Sequence, residues 1–137
     1  MRQLALVMRS KKLQATTSTL KPSEKEIERS ILQYLEFIPD CYAWKNQSTG
    51  VYDPTKQLFR KARSKYSING VSDILGIFKG RFLAIEVKTP QNKKRTEDQN
   101  SFINQVNKRG GLAFYATSIE DVKAALEMKT EKVLSEN

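Results

Sequence analysis

The chain has 137 residues, of which 39% are hydrophobic and 28% charged, with a formal charge of +9. That length fits one domain around a single core, and the balance is too apolar for a disordered chain and too polar for a membrane protein. There is no histidine and only one cysteine, Cys41, which excludes Ser-His-Asp and Cys-His nucleophiles, Cys/His zinc sites and an internal disulfide. Hydrolytic chemistry in this chain must run on carboxylates, lysine and an oxygen-ligated metal.

Residues 1–22 show no apolar periodicity and, with the run Ala15 to Thr19, read as a flexible N-terminal arm ending at Pro22. The apolar stretch Leu4 to Met8 is too short for a signal peptide or a membrane span, so the expectation is a cytoplasmic protein with no membrane partner. Ser23 followed by Glu26 makes a capping-box pattern, and Ile27, Ile31, Leu32, Leu35 and Ile38 recur at helical spacing, which predicts a helix over 24–38 stopped by Pro39. Cys41 to Trp44 predicts a short strand, with Trp44 in the core, and Lys45 to Tyr66 a long basic loop. Two apolar runs, Val71 to Lys79 and Phe82 to Lys88, flank Gly80-Arg81 and predict a hairpin with Gly80 opening a type II′ turn. Thr96 caps a predicted helix over 97–109 with Phe102, Ile103 and Val106 inward, ended by Gly110-Gly111. Leu112 to Ala116 then predicts a strand and Ser118 to Met128 a last helix, leaving 129–137 as a tail. The expected fold class is α/β: a mixed central sheet flanked by helices, in one domain over 23–128.

Charge is distributed unevenly along this order. Between Trp44 and Arg95 twelve basic residues face only Asp53, Asp73 and Glu86, so this segment carries the whole net charge, while the flanks balance. A solvated face explains such a block, and so does a polyanion-binding surface; the scarcity of acids favours the second. Candidate phosphate contacts are Lys45, Arg60, Lys61, Arg63 and Lys65, and the run Lys93, Lys94 and Arg95. Tyr52, Phe59 and Tyr66 interleave with the first set, either stacking on unpaired bases or packing the loop, with packing preferred.

With Gly80-Arg81 as the turn, Lys79 faces Phe82, Asp73 faces Lys88 and Glu86 faces Leu75. Asp73, Glu86 and Lys88 then share one sheet face within about 5–8 Å of each other, while Ile74, Leu83, Ile85 and Val87 form the core face. A solvated face or a structural ion pair accounts for any lone Glu-x-Lys. Two carboxylates beside a lysine inside a basic block instead suit a hard cation, Mg²⁺ or Mn²⁺, that would also hold a recruited phosphate.

Gly70-Val71-Ser72-Asp73 followed by Ile85-Glu86-Val87-Lys88 resembles the PD-(D/E)XK nuclease signature, and in detail that of the virus-type replication-repair nuclease (VRR-NUC) group. The resemblance spans residues 23 to about 126 and places the pattern's helical Glu, Gly-x-x-Asp, Glu-x-Lys and downstream Gln on Glu24, Asp73, Glu86, Lys88 and Gln99. It implies a restriction-endonuclease-like core with Mg²⁺ or Mn²⁺ held by Asp73, Glu86 and the Val87 backbone carbonyl, Glu24 reaching the site from the first helix as a further metal ligand, and Lys88 orienting or activating the attacking water. Ser72 departs from the proline that many members carry before the Asp. Gln99 also completes a capping box with Thr96, and both roles stand. Glu24 is taken on the family pattern, with Glu28 in reserve on the same helical face.

These readings make the chain a metal-dependent endonuclease on branched DNA, in the manner of a Holliday-junction resolvase. A domain this small has little room for base-reading modules, which favours recognition of shape and phosphates. Symmetric junction cutting needs two sites, hence a homodimer, and the resemblance suggests a bacterial or phage-infected cell. A restriction or nicking enzyme on the same core is the nearest alternative, and a non-catalytic basic DNA-binding subunit is the alternative from another class.

Overall fold

The computed structural model describes residues 21–47, 51–60 and 64–135. Its elements are α1 (Glu24–Leu35), β1 (Cys41–Lys45), β2 (Val51–Asp53), β3 (Leu58–Arg60), β4 (Ile74–Phe78), β5 (Arg81–Val87), α2 (Glu97–Lys108), β6 (Leu112–Ala116) and α3 (Ile119–Ser135). The strands form a four-stranded sheet of order β1-β4-β5-β6 and a separate hairpin, β2-β3. In the main sheet β1/β4 and β4/β5 are antiparallel and β5/β6 parallel, the parallel pair being joined through α2 as such a crossover requires. The expected mixed α/β class therefore holds. No helix among the described residues is long and apolar enough to cross a membrane.

Period-two alternation divides the core between the two sheet faces. Ile74, Phe78, Leu83, Ile85 and Val87 pack against Ile27, Ile31 and Leu35 of α1 and Val122 and Leu126 of α3. On the other face Ala84 and Ala113 pack against Ile103 of α2, with Leu75, Phe102, Val106 and Tyr115 around them. The first cluster is the main core: Ile31, Ile74, Leu83, Ile85, Val87 and Val122 are completely buried, each burial removing apolar surface worth roughly 1.5–3 kcal/mol from water.

Four boundaries differ from expectation, each for a local reason. Helix α1 ends at Leu35 rather than 38: Ile38 precedes Pro39, which disfavours helical backbone, and Phe37 and Ile38 close the end with N–H bonds three residues back, to the Tyr34 and Leu35 carbonyls. The segment expected as one long loop contains the β2-β3 hairpin. Helix α3 runs through Ser135, since no Gly or Pro interrupts 119–135, so most of the expected tail is helical.

The fourth correction concerns the β4-β5 turn, which consists of Lys79-Gly80 with φ of 49° and 78°, the two left-handed residues of a type I′ turn. The observed pairs are Phe78↔Arg81 and Ile74↔Ile85, so Asp73 comes opposite Glu86, not Lys88. The Lys79 N–H is tied to the Asp40 carbonyl at 2.9 Å, which fixes the turn where β1 begins. Because the register differs by two residues, every side chain keeps its expected face.

Gly70 positions α2 against the hairpin. Its φ is 78°, and a Cβ there would stand 2.3 Å from the Asp98 backbone carbon, so no side chain fits. At Gly80 the φ is also 78° but nothing lies within 4 Å. Gly70→Ala is expected to destabilise by about 2–3 kcal/mol and Gly80→Ala by about 1 kcal/mol, the order being checked by urea unfolding midpoints of the two variants.

Candidate active site

Asp73 stands one residue before β4, where the ladder has just opened. Its Oδ2 accepts a hydrogen bond from the Val87 N–H at 2.9 Å, and its carbonyl accepts one from the Asn46 N–H at 2.7 Å. The residue is thus held between β1 and β5, opposite Glu86. Glu86 is 5% exposed, and its Oε1 accepts from Gln99 Nε2 at 2.8 Å. Lys88 Nζ donates to Gln99 Oε1 at 3.0 Å and lies 3.9 Å from Glu86 Oε1. Asp73, Glu86, Lys88 and Gln99 therefore come together as the sequence pattern anticipates.

Gln99 completes the expected capping box and also reaches Glu86 and Lys88. The Thr96 hydroxyl accepts from the Gln99 N–H at 3.1 Å while Gln99 Oε1 accepts from the Thr96 N–H at 3.0 Å, a complete capping box. With Oε1 occupied by two donors, Thr96 N–H and Lys88 Nζ, the amide NH₂ can point only at Glu86. The helix cap orients the amide that links the acid to the lysine.

Burial is the first influence on the electrostatics of the site, and the proximity of carboxylates the second. The Glu86 carboxyl is raised from an ordinary 4.5 to about 8 by burial first and by the Asp73 charge second; Lys88 opposes this, and a hydrogen bond with Asp73 and the charge of Glu24 add to it. Glu24 is also raised, by burial and then by Asp73, with Lys88 opposing. Glu28, by contrast, is buried against Lys45, 3.3 Å from its Nζ. Glu24 shares the field of the site, whereas Glu28 is paired away from it.

The basic residues are arranged differently from a uniform phosphate-binding patch. Lys45 is the partner of Glu28. Lys65 lies over the exposed Tyr66 ring, 5.0 Å from its centroid. Arg95 lies 4.0 Å over the Tyr115 ring, and Tyr115 is the β6 neighbour of Glu86. Lys93 and Lys94 are exposed just ahead of α2, and Lys93 helps lower the Asp121 carboxyl, after hydrogen bonds from Thr117 and Ser118. The backbone of Arg60 ends β3, and Lys61 and Arg63 lie outside the described residues, as do Tyr52 and Phe59 side chains.

Three features were missed in the sequence. Trp44, expected in the core, is 42% exposed. Tyr115 adjoins Glu86 and donates its hydroxyl to Asn100 Oδ1, a neighbour that only the parallel β5-β6 register reveals. Ser72 is fully buried and its Oγ has no hydrogen-bond partner among the described residues, which follows from its lying on the core side beside Asp73.

The donor set can be judged on its chemistry. Among the described residues no three His, Cys, Asp or Glu side chains converge to enclose a metal. Asp73 and Glu86 are the pair that could hold one, two hard oxygen donors with mutual repulsion for a divalent cation to relieve. Mg²⁺ characteristically takes one or two carboxylates and completes its shell with water and phosphate oxygens, so the pair fits such an ion. A scan against models of protein families finds no match to this chain, and a search of curated proteins finds none either.

Two predictions follow from burial. The folded state holds the Glu86 proton up to about pH 8 and an unfolded chain releases it near 4.5, so the metal-free fold binds the extra proton across that window and loses stability as pH rises through it. Glu86→Gln should flatten this fall and, at high pH in EDTA, exceed the wild type by on the order of 1–3 kcal/mol; added Mg²⁺ should restore the wild type only. Ser72→Ala removes a buried hydroxyl without a partner and should raise stability by about 0.5–1 kcal/mol, read by urea unfolding.

Proposed function

We propose that this chain is a metal-dependent DNA endonuclease with a restriction-endonuclease-like core of the VRR-NUC kind, acting on branched DNA like a Holliday-junction resolvase. The observation that carries this reading is the adjacent pair Asp73 and Glu86, with Gln99 bridging Glu86 to Lys88. A structural ion pair requires one acid and one base. Here a buried acid is set beside a second acid, and the lysine is held mainly by an amide.

In this mechanism Asp73, Glu86 and the Val87 carbonyl would hold Mg²⁺ or Mn²⁺. When bound, the ion would neutralise charge on the phosphodiester and make its water more acidic. Lys88, fixed by Gln99, directs its ammonium into the same space and orients the attacking water as a compact point charge. Water adds to phosphorus and gives up a proton to solvent, the bond to one ester oxygen breaks, and the leaving alkoxide takes a proton from solvent water in return. Glu24, raised by burial and Asp73, is positioned to hold a proton at the edge of the site. Exposed Lys93, Lys94 and Arg95 precede the helix that carries Gln99 and would bind flanking phosphates. Paired cuts across a junction would take two such sites, hence a homodimer.

The test is a panel of labelled four-way junction, flap, duplex and single strand with Mg²⁺, Mn²⁺ or EDTA. The wild type should make paired nicks in the junction only with metal, and Glu86→Gln should cut at least about 100-fold more slowly while binding the junction as well as the wild type. Cutting of flaps or duplex alone would keep the nuclease and remove the resolvase. Junction binding with no cutting of any substrate would establish the non-catalytic DNA-binding subunit instead.

A further inference from the structure

The face that bears Asp73 and Glu86 is covered over only half its width. Helix α2 packs on β5 and β6 through Ile103 against Ala84 and Ala113, with Leu75 of β4 at its edge, and among the described residues the outer part of β1 and β4 is left exposed. There Tyr42 is 73% exposed, Trp44 42% and Ile77 47%, and beside them at the start of β5 Phe82 is 41% exposed. These residues form a continuous strip in register, because Tyr42 faces Ile77, Ile77 faces Phe82, and Trp44 faces Leu75.

The strip leads to the carboxylates. Leu75 lies two residues from Asp73 on the same strand and face, so Trp44 and Asp73 are diagonal neighbours with Cα atoms about 7–8 Å apart. Lys45, next in β1, points to the opposite face, where it meets Glu28. The Tyr42 and Trp44 rings stand 5.8 Å apart and tilted by 53°. A flat ring cannot be sandwiched between them, so each presents an outer face.

We propose that Tyr42 and Trp44 form a stacking platform for bases that come unpaired at the branch point beside the phosphodiester to be cut. This rests on the nuclease reading for the position of the phosphate. Charge complementarity selects nucleic acid over a second copy of the chain: the whole excess of +9 falls between Trp44 and Arg95, the segment that supplies β4 and β5. Two copies of that segment brought together repel each other, whereas a polyanion is drawn in. Strand β1, Cys41–Lys45, contributes no acid to oppose it, and exposed aromatic rings accept any base through its π-face.

Trp44 is the only tryptophan, so its fluorescence reports the platform directly. In EDTA, titration with a single-stranded oligonucleotide should quench that emission, and a blunt duplex of equal length should bind without quenching. By anisotropy of labelled DNA, Tyr42→Ala and Trp44→Leu should weaken single-strand binding about tenfold or more and duplex binding less than about twofold, with Trp44→Phe retaining most of the affinity. Because these readouts need no cleavage, a failed nuclease assay leaves them standing, and their failure leaves the nuclease reading standing. Equal losses on both DNAs, or no quenching by single strand, would overturn the platform. So would emission that changes on dilution of DNA-free protein together with a doubled sedimentation mass, which would assign the face to a second copy.

Discussion

The register of the β4-β5 hairpin is the constraint on which the rest depends. It places Asp73 opposite Glu86, and it leaves the Val87 N–H without a strand partner so that the Asp73 carboxylate takes it at 2.9 Å. The turn that sets this register requires a left-handed lysine, Lys79, a conformation that costs about 1 kcal/mol or more in a non-glycine residue. The cost is offset by the match between a type I′ turn and the twist of the strands and by the bond from Lys79 N–H to Asp40. Strand β1, the hairpin and the carboxylate pair are thereby one mechanical unit.

Against that unit α2 acts as a brace. Its cap residues, Thr96 and Gln99, bond each other's N–H groups at the helix start and at the same time fix the amide between Glu86 and Lys88. Gly70 allows the chain to pass flush against the Asp98 backbone. A disturbance of the helix start therefore reaches the site without touching a carboxylate. The high Glu86 pKa has the same origin: the scaffold buries Glu86 beside a second acid and, among the described residues, sets only Lys88 against it, itself shared with Gln99.

Much of this was legible in the sequence, because period and capping are local signals. Both capping boxes, the inward faces of the helices and the strand Leu112–Ala116 follow from residue spacing, and so does the shared face of Asp73, Glu86 and Lys88. The turn was misplaced because glycine suits either the second position of Lys79-Gly80 or the first of Gly80-Arg81, and the choice lies in a tertiary bond to Asp40. The convergence survived since a slip of two residues preserves side-chain parity, whereas a slip of one would have buried Asp73 and exposed Ile74. Trp44 was misassigned for a related reason. Its strand alternates, but which face α2 covers, and how far, is decided by packing at long range.

Charge ties the two scales together. A chain with +9 concentrated in the segment that holds Asp73 and Glu86 attracts a polyanion at long range and repels it at the last few ångströms. Lys88 is committed to Gln99 and lies 3.9 Å from Glu86, so it offsets only part of the local negative charge. Under the nuclease reading, the residual repulsion has a direct consequence: DNA would be captured by the basic surface and the aromatic face whether or not a cation is present, but its phosphate would approach Asp73 and Glu86 only with a divalent ion held there to offset the like charges. Binding and chemistry are then separable because they are run by charges of opposite sign, which is a reason for a basic protein to bury carboxylates in its own binding face.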